Sequence, residues 1–247
     1  MRLLKRAVSL IPAAALVTLT MRVDISARAN LGDVVENVFG ENTGTIDIII
    51  MLTLLTLLPT IVIMFTSFTR TIITLSFVRN AIGMQQSPPN QVLVGLALML
   101  TFFVMSPTIT TVYEEAYIPY SEERITQTEF IDQAMGPIRS FMLAQTQKSD
   151  LEFFLGLSGQ EIPTIEDTPN SVLIPAFITS EIKIAFKLGF FIYIPFIVID
   201  MVVASTLMAM GMMMLPPAMI SLPFKVLLFV MVDGWHLVIG SLLDTFH

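Results

Sequence analysis

Apolar positions along the chain gather into four long runs separated by polar or charged stretches. The runs are Ile46 to Phe65, Gln91 to Val112, Leu188 to Met208 and Ala218 to Leu243. Each is close to the ~20 residues that an α-helix needs to cross the hydrocarbon core of a bilayer. The pattern predicts an all-α, membrane-associated chain built from two kinked helical hairpins. A proline inside a helix removes an N–H and crowds the preceding turn. Pro59, Pro195 and Pro223 are therefore expected helix breakers, together with the Pro216-Pro217 pair. A helix is also expected to run on from Met64 through Arg79.

The tips of the two hairpins share a frame. Ala81-Ile82-Gly83-Met84 to Pro88-Pro89 and Ala209-Met210-Gly211-Met212 to Pro216-Pro217 both read A-x-G-M-x-x-x-P-P. Glycine permits a left-handed exit from one helix and proline can open the next. The first tip is polar, with Gln85, Gln86 and Ser87. The second is thioether-rich, with Met208, Met210, Met212, Met213 and Met214. A loop that leaves a membrane-type helix needs partners for its backbone and is normally polar. Methionine is soft and unbranched and fills irregular gaps. A tip of this kind suits a place where several copies meet and sometimes part, or a lipid-facing or core-packed turn.

The polar stretches divide the rest. Residues 1–29 have a positive start (Arg2, Lys5, Arg6), an apolar core and an Ala27-Arg28-Ala29 site. These are the parts of a secretory signal, or of an uncleaved anchor helix. Residues 30–112 form the first expected hairpin. Residues 113–174 form an acidic helical insert: positions 113–170 hold eleven acidic and three basic side chains. Residues 175–247 form the second hairpin. Arg70 and Arg79 are the only charges between the first two runs, which places that connection on the cytoplasmic side and the acidic insert in the periplasm. Lys183 and Lys187, four apart on one helix face, need outside partners or water.

Charges inside the runs are costly, at ~3 kcal/mol each near a bilayer centre. Asp200, Lys225 and Asp233 therefore call for pairing, subunit contacts or an aqueous path. With a turn near Leu215–Pro217, Asp200 and Lys225 come within reach of each other and Asp233 is left seeking a neighbour. Arg70 is expected to pair with an acid or with carbonyls in an assembly. Such pairs either fix the register of helices or move protons.

Composition narrows the chemistry. Hydrophobic residues make up 54% and charged residues 13%, with a mean hydropathy of +0.78. There is no cysteine, and only His236 and His247 offer imidazole. No metal site, no cofactor and no catalytic constellation is expected. No G-x-x-x-x-G-K-[ST] phosphate loop occurs. Nothing basic is large enough for nucleic acid.

Phe65-Thr66-Ser67-Phe68-Thr69-Arg70, Arg79-Asn80-Ala81-Ile82-Gly83 with Gln85 to Gln91, and Leu100-Thr101-Phe102-Phe103-Val104-Met105 resemble the N-terminal half of the FliP family. Ile194-Pro195-Phe196-Ile197-Val198-Ile199-Asp200, Met210 to Pro217, and Leu222-Pro223-Phe224-Lys225 through Asp233-Gly234-Trp235 resemble its C-terminal half. The resemblance implies a core subunit of the flagellar type III export gate in the bacterial inner membrane at the basal body. It implies a homo-oligomer assembled with FliR and FliQ into a helical, pore-containing cone, with FlhB at the entrance and FlhA below. It also implies that unfolded export substrates pass through and that the Met-rich tip is a gasket. The equivalent export-gate subunit of a virulence type III secretion injectisome is the alternative that the resemblance leaves open. From the residues alone, a small-solute transporter and a purely structural nucleus without a pore are also open.

Overall fold

The structure, a computed structural model, describes residues 45–84, 87–159, 163–212 and 214–246. The expected signal segment 1–29 lies outside the described residues, as does Met213. All regular structure among the described residues is helical. The chain divides at Pro59 into two units. Of the first, the described part is the helical stretch 45–58 of α1 (Thr45–Phe65). The second unit, from Pro59 onward, holds every other helix among the described residues.

Helix α2 (Phe68–Ile82) forms because its apolar and small side chains return every three or four residues. Thr71, Thr74, Leu75, Val78, Ala81 and Ile82 are all buried on one face. That face packs mainly on α7 (Asn170–Ala209), a 40-residue helix. The matching face of α7 carries Leu173, Ala176, Phe177, Ser180, Glu181, Ala185 and Gly189. Gly189 is needed there, since a Cβ would stand 2.5 Å from the Phe77 ring. Helix α3 (Asn90–Val112) lies beside α2 through Leu93 and Ala97. It passes through a π-helical turn, Tyr113–Tyr117, into a short helix α4 (Ile118–Ser121).

The acidic insert is helical as its periodicity predicts. Helix α5 (Gln127–Gln145) begins with a capping box: Thr126 N–H donates to Glu129 Oε2 at 2.7 Å and Glu129 N–H donates back to Thr126 Oγ1. Helix α6 (Lys148–Ser158) follows. Met142 of α5 and Leu151 of α6 join Val172, Leu173, Ala176 and Phe177 of α7 in one buried cluster. Each fully buried Leu or Phe contributes about 1.5–3 kcal/mol by leaving water. Helix α8 (Pro217–Met231) returns along the second half of α7, and α9 (Gly234–Leu243) ends in a single turn, Asp244–Phe246.

The sharp bends do not fall at the internal prolines. Pro59, Pro107, Pro195 and Pro223 all lie inside helices. The segments Pro59–Phe65 and Phe68–Ile82 instead meet at 86°. The helix expected to run on past Met64 is thus broken at Thr66-Ser67. Hydroxyls make this break tolerable: Thr66 Oγ1 donates to Val62 O, and Thr69 Oγ1 donates to Ile63 O at 2.8 Å. The second bend, 66°, separates α8 from α9 at Asp233, so the fourth apolar run is two helices. Among the described residues two helical stretches, Asn90–Ser121 and Asn170–Ala209, are long and apolar enough to cross a membrane. The number rises to four if each bent pair is one span.

Candidate functional site

The two hairpin tips, alike in sequence, close their first helices in the same way. After α2, Gly83 sits at φ +89°, its N–H donates to Asn80 O at 3.0 Å, and Met84 N–H donates to Arg79 O at 3.2 Å. After α7, Gly211 sits at φ +74°, its N–H donates to Met208 O at 3.0 Å, and Met212 N–H donates to Leu207 O at 3.0 Å. Both are Schellman caps, with the left-handed residue that favours glycine. The next helix then starts at a proline pair. Pro89 O accepts from Val92 and Leu93, and Pro216 O accepts from Met219. The repeated frame therefore repeats the glycine cap, while the following helix is capped at the second proline of the pair in the first tip and at the first proline in the second.

The side chains at the second tip have no core of their own. Met208, Met210 and Met212 are exposed, and Met214 reaches 99% exposure. Leu215 and Met219 add to this apolar knob. Just behind it, an apolar groove of about 490 Å³ runs between α7 and α8, lined by Val202, Thr206, Met210, Ile220 and Phe224 among others.

Three charged sites hold the scaffold beneath the tips. Arg70 and Glu181 are both 0% exposed and form a forked pair across α2 and α7, with Nε to Oε2 at 3.2 Å and Nη2 to Oε1. The rest of the guanidinium fastens the C-terminus. Nη1 donates to Thr245 O at 2.7 Å and to its hydroxyl at 3.0 Å, and Nη2 donates to Gln145 at 3.1 Å. Gln145 in turn donates to Phe246 O at 3.2 Å, and the Phe246 ring lies 4.0 Å under the Arg70 Cζ. Arg70 thus finds its acid within its own chain. The sequence offered no signal for Thr245 and Phe246, since tertiary packing alone brings the terminal turn there.

The second site is the one that helix spacing anticipated. Lys225 Nζ lies 2.5 Å from Asp200 Oδ2, and Ser221 Oγ donates to the other oxygen at 2.5 Å. Ser221 and Lys225 are four apart on α8 and so present one face to α7. Asp233 makes no ion pair among the described residues. It occupies the α8–α9 bend with φ +51°.

The third site went unread in the sequence. Lys183 Nζ donates to Asp150 Oδ1 at 2.6 Å, and Ser180 Oγ donates to Oδ2 at 2.7 Å. Lys183 therefore has a partner inside the chain, and α6 is pinned to α7. Burial alone would push the Asp150 carboxyl upward. The Lys183 and Ser180 hydrogen bonds and the Lys183 charge together outweigh it and hold the group below the usual carboxylate range. No group of three His, Asp or Glu side chains able to hold a metal occurs among the described residues.

Comparison with known proteins gives these observations a family. Residues 51–242 match the model of the FliP family. The chain belongs to the FliP family. It is 55% identical over 208 residues to the flagellar biosynthetic protein FliP of Pectobacterium carotovorum subsp. carotovorum, covering 83% of this chain and 80% of that one. It is 50% identical to FliP of Bacillus subtilis strain 168 over 205 residues, 83% of this chain and 93% of the other. Identity to FliP of Caulobacter vibrioides is 46% over 241 residues, 97% and 87% of the two chains. As a FliP protein this chain is a membrane component of flagellar biosynthesis and protein export.

Proposed function

We propose that this FliP chain is a pore-forming subunit of the export gate and that its Met-rich tip is the seal. Several copies join FliR and FliQ around a shared lumen in the bacterial inner membrane, at the flagellar basal body. FlhB stands at the entrance and FlhA below, and unfolded flagellar proteins pass through. The acidic insert 113–174 faces the periplasm, and residues 1–29 direct the chain to the membrane. Energy comes from partners, since the sequence carries no phosphate-binding loop.

The observation that carries the reading is the exposure of Met208, Met210, Met212 and Met214 at a turn that opens with a Schellman cap. Soluble surfaces do not gather such side chains at a tip without a use for them. Met213 belongs to the same stretch. A ring of thioethers closes a narrow hole by soft packing and by excluding water, and it adapts to varied cargo. Arg70, Asp200 and Lys225 fix the helices that present the tip. Pro216 and Pro217 set where the tip ends and α8 begins.

Replacing Met210, Met212 and Met213 together by Ala tests the seal. The expected outcome is an assembled complex whose cells leak small ions. An assembled triple variant with unchanged membrane conductance would contradict the gasket role.

A further inference from the structure

Helices α7 and α8, with the bend that follows them, carry six charged residues: Glu181, Lys183, Lys187, Asp200, Lys225 and Asp233. Four are paired inside the chain, Glu181 with Arg70, Lys183 with Asp150, and Asp200 with Lys225. Lys187 and Asp233 remain, and they are of opposite sign. Both are exposed. Neither side chain has a hydrogen bond or an ion pair among the described residues.

Lys187 stands on the outer side of α7. Ala185 and Gly189 are buried, Gly189 against Phe77 of α2. Lys187 lies two residues from each, about 200° round the helix, and so points the other way. Beyond it the same outer side carries Phe190, Ile194, Val198 and Val202, an exposed row at four-residue spacing. Such rows are the ridges by which helices interlock. This one is about 18 Å long and runs from Lys187 toward the methionine tip.

Helix α8 repeats this design with the opposite charge. Ser221, Lys225 and Phe229 are its buried residues. Pro223, Leu227 and Met231, each two residues further on, lie on the outer side. With Met219 they form a second exposed row of about 18 Å. Asp233 follows at the end away from the tip, in a left-handed turn that Gly or Asn would serve without a charge. Ser221 and Lys225 both reach Asp200, and the Phe229 ring packs by Phe196, which fixes the register of α7 and α8. Asp233 therefore stands within about one helical turn of the level of Lys187, but on another helix and another face.

We propose that the outer face of α8 in one copy packs on the outer face of α7 in the next, with Asp233 of the first paired to Lys187 of the second. Copies standing side by side with their tips at one end bring these two charges together. An inverted copy would set them at opposite ends of the contact. The two patches are different surfaces, so the contact is head-to-tail and propagates from copy to copy. Lipid against both faces would leave each charge uncompensated in apolar surroundings, which is costly. A second copy supplies the opposite charge at the right height. The contact rests on the multi-copy reading given above and names the residues that set the register between neighbours.

The chain has no cysteine, so introduced thiols are unambiguous. One full-length copy carries Lys187→Cys and one affinity tag. A second carries Asp233→Cys and another tag. The two are co-expressed and treated in membranes with a short bis-maleimide. The expected result is a cross-linked product bearing both tags. Copies that co-purify without this product, or that cross-link only to some other protein, would overturn the contact while leaving the multi-copy reading intact. Tags that fail to co-purify even for the unsubstituted chains would overturn the multi-copy reading itself. Should Asp233→Cys fail to accumulate, Met231→Cys reports from the same face. As a second readout, Lys187→Glu and Asp233→Lys should each cut recovery of the second tag by about tenfold or more, and both changes in one chain should restore it. Any strain that lysine adds to the turn at 233 is present in the single and the double variant alike, so it cannot produce that recovery. Single reversals without effect, or a double reversal no better than either, would overturn the proposal.

Discussion

Truncating Glu181 to Leu is the sharpest perturbation of the scaffold. It leaves the Arg70 guanidinium, 0% exposed, without the carboxylate that neutralises it. Breaking a buried pair from one side costs about 3–5 kcal/mol, because the remaining charge stays desolvated. The Thr245 and Gln145 contacts keep the guanidinium hydrogen-bonded but bring no opposite charge. The loss should therefore lie near the middle of that range. For a chain of this size each kcal/mol shifts the unfolding midpoint by roughly 2–4 °C. The detergent-solubilised variant is thus expected to melt roughly 6–20 °C below the parent in a scanning fluorescence assay. Replacing both partners, Arg70→Met with Glu181→Leu, should recover most of that loss, since neither charge is then buried. The terminal turn should still loosen, because Thr245 and Phe246 lose their anchor. Limited proteolysis at the C-terminus would report that separately. A single variant that melts within about 2 °C of the parent would refute the reasoning. So would a double variant no more stable than the single one.

Other outcomes rest on the same packing. Gly189→Ala places a Cβ 2.5 Å from Phe77 at the α2–α7 contact, so it should lower stability by about 1–3 kcal/mol in the same melting assay. The pairing that pins α6 to α7 should be acid-sensitive. Asp150 is held below its unfolded value of about 3.9, so the unfolded chain binds the proton more tightly. Its contribution is complete above about pH 4 and fades as pH falls through the lower folded value. Hydrogen exchange of α6 amides should rise over that acid range in the parent. In Asp150→Asn it should be raised already at neutral pH, with no Asp150-dependent step. Removing one member of the α7–α8 pair, by Lys225→Met, should loosen the second hairpin and expose α8 to protease, whereas Lys225→Arg should retain most protection because the charge is kept.

Much of the fold is legible in periodicity. The apolar runs mark the hairpins, and the spacing of Phe130, Ala134, Ile138 and Phe141 marks α5. Counting residues on either side of Leu215–Pro217 sets Asp200 opposite residues 230–232, about five residues from Lys225, so the pair is legible only because the long lysine stem can span that offset. The bends at Thr66-Ser67 and Asp233 escape the sequence for a common reason. Proline is the familiar signal of a broken helix, whereas hydroxyl side chains and a left-handed Asp do the bending here. Glu181 and Asp150 are equally hard to foresee as partners. Their mates, Arg70 and Lys183, lie 111 and 33 positions away, and no local pattern links residues so separated. The methionine tip is legible as composition, but its Schellman cap and outward display belong to three-dimensional structure.

The central claim is that this tip closes a shared lumen, and the most direct measurement is an image of the membrane-extracted complex at side-chain detail. The account predicts that residues 208–214 of every copy converge on a central axis and narrow the hole there. Finding them on the outer wall, facing lipid or solvent away from any axis, would contradict it.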